Sequence, residues 1–182
     1  MKVLLCGLLT LCALVFSNSD PPYRLPDMPA VTDKPLYLVG YSMERYHWQW
    51  RCINTTYISK ENGWVRRYIS VAYNTTSYAL KWNDTMEVRN KSHDVILEVK
   101  ASGLVKGWFH AKDWYVIRHY DDKSLLLSEE IQGIHNLTPP CSLWLTMPTK
   151  KESDIPPRTK RKFFRLCPNA TFIGYDDNAC NK

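Results

Sequence analysis

Short runs in which apolar and polar positions alternate, with no helical repeat, govern most of the chain. Leu36-Tyr37-Leu38-Val39-Gly40-Tyr41 is rich in aromatic and branched residues, as strands are. The run 51–58 alternates weakly around Cys52. Asn62-Gly63 then marks a tight turn into a long strand over 64–73. Asn74-Thr75-Thr76 breaks the pattern before a strand over 77–82, and after a polar loop around Asn83 and Asn90 the next strand covers 94–99. Gly103 and Gly107 bracket another loop. The run 113–120 is the strongest strand pattern in the chain, and Asp121-Asp122-Lys123 turns it into Ser124-Leu125-Leu126-Leu127-Ser128. After a polar loop with Pro139-Pro140, the run 141–147 is the last long strand. Eight strands on short turns predict an antiparallel meander. Spacing alone leaves barrel and sandwich open; a closed barrel would remove exposed edges and enclose room for one small ligand.

The two ends depart from this pattern. Lys2 precedes an apolar run over 3–16, with small residues at Ser17 and Ser19. This predicts a secretory signal peptide over residues 1–19, since the run is too short to span a bilayer as a helix. One domain is then expected over 20–182, with a barrel over about 35–147, a helix over about 156–167 and a tail over 168–182. The proline-rich stretch 21–35 reads as a lead-in, and 43–50 as a loop or helical turn. On a helical wheel, Arg158, Arg161, Lys162 and Arg165 share one side, while Phe163, Phe164 and Cys167 share the other. Leu166 lies at the border, and Lys160 lands among the apolar positions and must snorkel outward. The apolar side is expected to pack on the barrel. The basic stripe reads as a solvated face, with a heparin-like or membrane surface role as the weaker alternative.

Loss of the signal removes Cys6 and Cys12 and leaves Cys52, Cys141, Cys167 and Cys180. Four cysteines in an oxidising compartment predict two disulfides, with three pairings open. Zinc is disfavoured, because no Cys-x-x-Cys or Cys-x-x-His spacing occurs. Sequons at Asn54, Asn74, Asn83, Asn90, Asn136 and Asn169 add to the extracellular picture. The formal charge of +6 at pH 7 is modest and concentrated in the C-terminal basic run.

No catalytic constellation is present. The histidines, at 47, 93, 110, 119 and 135, lack H-x-H or H-E-x-x-H spacing, and there is no G-x-S-x-G elbow or P-loop. An enzyme, a resident metal, a cofactor, a nucleic-acid partner and membrane insertion are therefore not expected; a homodimer is left open. The chain does hold seven Trp, eleven Tyr and five Phe, many of them on strand runs. An ordinary β core and an aromatic-lined cavity account for them equally well.

Several strings occur in a telling order: Leu36-Tyr37-Leu38-Val39, Tyr120-Asp121, Leu125-Leu126-Leu127-Ser128, Cys141-Ser142-Leu143-Trp144, Ile155-Pro156, Phe163 four residues before Cys167, and Tyr175-Asp176 before Cys180. This order resembles the tick salivary lipocalins. The resemblance implies an eight-stranded barrel with a C-terminal helix, secreted in saliva into the host. It also implies the pairing Cys52–Cys180 and Cys141–Cys167. Members of the family sequester histamine, serotonin or lipid mediators, and one branch binds cholesterol and suppresses dendritic-cell maturation.

Amine-binding members carry Cys-Asp-hydrophobic and Glu-Leu-Trp strings, whose carboxylates pair with an ammonium. Here no Cys precedes Asp, and Ser142 stands at the Glu position. The resemblance therefore points to a sterol or other lipid, with Ser142 as a hydroxyl contact. If Ser142 points inward, alternation turns Trp144 inward as well. Tyr115 and Ile117 form the second expected wall, with Trp114 and Val116 as the rival set. Two functions follow: a scavenger of inflammatory mediators, or an effector acting on host immune cells.

Overall fold

The computed structural model describes residues 26–42, 50–74, 79–91, 95–129 and 139–180. Eight strands form the expected antiparallel barrel: β1 (Leu36–Ser42), β2 (Trp50–Glu61), β3 (Trp64–Asn74), β4 (Ala79–Lys91), β5 (Ile96–Ala101), β6 (Trp114–Tyr120), β7 (Ser124–Ser128) and β8 (Cys141–Leu145). Consecutive strands pair around the ring, and β1 pairs with both β8 and β2, which closes it. A short β9 (Ala170–Phe172) adds to the far end of β1.

Strand β4 extends well past the expected 77–82. The polar stretch that reads as a loop pairs with β3 on one side and β5 on the other. Within it, Met86 and Val88 supply the inward face at period two, while Glu87 between them lies on the outer face. Composition hides a strand of which only every second residue must be apolar. A second difference is α1 (Gly103–Phe109), a helix where two glycines suggest a loop. The Ser102 hydroxyl caps it by accepting from the Val105 amide at 3.2 Å, and Val105 packs against Ile69 and Val71. Tertiary packing and one cap outweigh the glycine propensity.

The C-terminal helix forms as α2 (Pro157–Leu166), followed by the short α3 (Asp177–Cys180). Its buried side differs from the wheel by one position. Phe163 is fully buried, but Phe164 stays 41 % exposed and Thr159 is buried in its place. The Thr159 hydroxyl shares a 2.8 Å hydrogen bond with Ser124 of β7, so a polar contact sets how the helix rolls on the barrel. Close approach is possible because β1 carries Gly40. A Cβ there would meet Phe163 Cζ at 2.9 Å.

Strand β7 explains its own unbroken apolar run. Leu125 and Leu127 point into the barrel, while Leu126 points outward into the cluster with Phe163 and Leu143. Both faces are covered, so alternation is lost. Disulfide Cys52–Cys180 ties α3 to β2, and Cys141–Cys167 ties the end of α2 to the start of β8.

Candidate ligand cavity

One end of the barrel is closed from inside. A 3-10 turn at Pro29–Val31 packs there against β3, β4 and β7. Arg67 of β3, only 1 % exposed, holds it in place. Its guanidinium donates to the carbonyls of Ala30, Thr32 and Lys34 at 3.2, 3.0 and 2.5 Å, and to the Thr55 hydroxyl at 3.0 Å. Burial pulls its pKa down to about 10, so it remains a cation at neutral pH. Nothing in the local pattern singles out Arg67. Only its alternation partners Val65 and Ile69, both buried, hint that position 67 faces inward.

Above this floor lies a cavity bounded by Leu36, Leu38, Ile69, Val88, Leu97, Val99, Leu125, Leu127 and Trp144, among others. The centres of water molecules have about 210 Å³ there, and the free space extends a water radius further on every side. Thr55, His110, Glu129 and Ser142 interrupt the apolar wall, and Tyr41 and Tyr115 bring hydroxyl groups to it. Backbone register dictates which residues reach the cavity. On β8, Cys141, Leu143 and Leu145 belong to the outer cluster under α2, so Ser142 and Trp144 turn inward and line the cavity. The indole N–H of Trp144 donates to Ser142 Oγ at 2.9 Å. That contact orients the ring and leaves the Ser142 proton free to be donated.

On β6, Tyr115 lines the cavity and Ile117 joins the same inner cluster, whereas Trp114 is 49 % exposed. Ile117 is not one of the residues that line the cavity; it packs against the inner cluster beside it. The Tyr115 hydroxyl accepts from the Lys112 amide at 3.1 Å, which fixes the ring at its tip. Sequence reasoning missed Glu129 and His110. Glu129 follows the last residue of β7, and His110 is the left-handed cap of α1, at φ 49°. Neither sits in a motif, and only the fold brings them to the cavity.

The sequons fall in unlike surroundings. Asn83, Asn90 and Asn169 are exposed, and Asn169 sits in a left-handed turn at φ 46°. Asn54 is partly buried, and its amide nitrogen donates to the Tyr175 hydroxyl at 2.6 Å. Asn74 ends β3, while Asn136 and the 1–19 segment lie outside the described residues. Among the described residues, no three His, Cys, Asp or Glu side chains gather as a metal site. Nor is any described helix long and apolar enough to cross a membrane.

No protein-family model matches the chain. Japanin-like-RS from Rhipicephalus sanguineus is 35% identical over 180 residues, covering 97% of this chain and 98% of that protein. Japanin from Rhipicephalus appendiculatus is 31% identical over 180 residues, with the same coverage. The crystal structure of Japanin bound to cholesterol superposes with a TM-score of 0.74 at 30% identity, over 84% of this chain and 99% of that one. Lobster apocrustacyanin A1, at 12% identity and a TM-score of 0.50 over 80% of this chain and 78% of that one, shares the fold alone. With matches that span nearly the full length of both partners and a common closed barrel, this chain belongs to the Japanin group of the tick salivary lipocalins.

Proposed function

We propose that the protein is a secreted carrier holding one neutral, mostly apolar molecule in its barrel, a sterol such as cholesterol, and that it acts on host immune cells. The observation that carries the reading is the make-up of the cavity: aliphatic walls, two ordered aromatic rings, and a Ser142 hydroxyl oriented by Trp144 with a proton to give. The cholesterol in the related Japanin structure supports the choice of sterol. Each 100 Å² of apolar ligand surface buried is worth about 2.5 kcal/mol before association costs, so tight binding needs no charge pair. Two disulfides and the exposed sequon asparagines support secretion.

Solvent extraction of freshly purified protein, followed by mass spectrometry, tests the cargo. A sterol should be recovered at near one per chain, and stripped protein should take up added cholesterol. Recovery of no lipid, together with no uptake, rejects the cavity reading. Membership of the Japanin group supports the cellular part, suppression of dendritic-cell maturation. Monocyte-derived dendritic cells that mature normally in the presence of active protein would reject it.

Glu129 favours a second reading, capture of a cationic amine. A carboxylate on the wall is the partner that a buried ammonium requires. Calorimetry with histamine decides between them: submicromolar affinity that is lost in E129Q would replace the sterol reading.

A further inference from the structure

The outward side of α2 carries a row of arginines that no carboxylate among the described residues pairs with. The helix reads Pro-Arg-Thr-Lys-Arg-Lys-Phe-Phe-Arg-Leu, half of it basic and none of it acidic. Two of its five cations are engaged. Lys160 meets Glu152 at 2.6 Å, and Lys162 turns toward the barrel and donates to His119 Nδ1 at 3.1 Å. Arg158, Arg161 and Arg165 remain exposed, and none of the three forms an ion pair among the described residues. Their spacing of three and four places them in one stripe roughly 10 Å long.

This arrangement costs the fold something. Like charges three and four residues apart repel, and a cation in the first turn opposes the helix dipole. The repulsion reaches Lys162, whose pKa is lowered by burial and then by Arg158 and Arg165. The helix holds because Phe163 and Thr159 are buried and Cys167 is bonded to Cys141. A rigid scaffold thus presents three planar forks that suit oxyanions bidentately, with the exposed ring of Phe164 beside them. The stripe lies on the outer wall, with β7 between it and the cavity, so both can be occupied at once.

We propose that Arg158, Arg161 and Arg165 form a docking stripe for a linear sulfated polysaccharide, one able to set sulfates along the three guanidinium groups while Phe164 meets a sugar ring.

The test uses the full disulfide-bonded protein and a heparin-derived oligosaccharide in surface plasmon resonance. Wild type should bind at about 0.15 M salt, with the affinity falling as salt rises by about two to three counterions released. R158Q/R161Q/R165Q should lose at least about tenfold in affinity while keeping its circular dichroism and both disulfides, since glutamine preserves helix propensity. K60Q/R66Q/K81Q removes the same charge from exposed barrel positions and should bind nearly as wild type. The single variants R161Q and R165Q, each expected to weaken binding several-fold, carry the test if the triple variant folds poorly. Unsulfated hyaluronan and phosphatidylserine vesicles should bind weakly. The proposal is overturned by absence of wild-type binding, by equal losses in both triple variants, or by vesicles binding while the oligosaccharide does not.

Discussion

Two inward-facing side chains show how a single residue carries the barrel. Trp144 presents its ring to the cavity and spends its only N–H on Ser142. Trp144→Glu places a carboxylate against the mostly aliphatic wall of the cavity, at a cost of several kcal/mol if it stays charged and unpaired. Sterol uptake by the stripped variant should vanish while the protein still folds; uptake at wild-type affinity would mean that the ligand lies elsewhere. Arg67 plays the opposite part, a buried cation with all five of its donors used. Arg67→Met leaves the carbonyls of Ala30, Thr32 and Lys34 without their donor and should lower stability by about 2–4 kcal/mol. Urea unfolding measures this, and Arg67→Lys should recover only part of it, because the three donors of one ammonium cannot replace five set in a planar fork.

Helix α2 and the strands beneath it enclose a histidine that makes the fold sensitive to acid. His119 of β6 is 8 % exposed and accepts from Lys162 through Nδ1, while its Nε2 lies 3.7 Å from Asp121 Oδ2. Burial, then Lys162, lower its pKa; Asp121 opposes them, and Arg158 adds to the lowering. The folded state therefore holds a neutral ring that the unfolded chain protonates at about pH 6.5. The unfolded state binds the extra proton, so this contribution to stability is complete above that value. It is lost as the pH falls below 6.5 toward the lower folded pKa. A proton on His119 would also face the ammonium that now donates to it. The melting temperature should thus fall as the pH is lowered below about 6.5. In His119→Gln, which has no group to titrate, the slope should flatten; an unchanged slope would assign the acid sensitivity to other groups.

Across the whole molecule, the two crosslinks differ in reach. Cys52–Cys180 spans 128 residues and Cys141–Cys167 spans 26. In the chain-entropy picture they contribute about 5 and about 3.5 kcal/mol. Cys52→Ser/Cys180→Ser should therefore shift the urea midpoint further than Cys141→Ser/Cys167→Ser. The reverse order would show that the second bridge works mainly by holding α2 against the barrel. Either loss should leave the ring of strands paired, since the ladders of β1 with β8 and β2 do not depend on either disulfide bond.

Strand runs such as Leu36–Ser42, Trp114–Tyr120 and Ser124–Ser128 were legible from the chain because each carries a local signal in branched and aromatic residues. The Pro-started amphipathic helix was equally plain. The inward turn of Trp144 followed once Ser142 was placed, since alternation needs no tertiary information. Other features had no local signal. Strand β4 runs on through polar residues because β3 and β5 both bond to it. Thr159 is buried in preference to Phe164 because Ser124 offers a hydrogen bond. Arg67, Glu129 and His110 reach the barrel interior from separate elements through the closure of the sheet. Local pattern determined most of the strands and where the C-terminal helix begins. Only the closed barrel decided which polar groups face its interior, because that depends on register between residues distant in the chain.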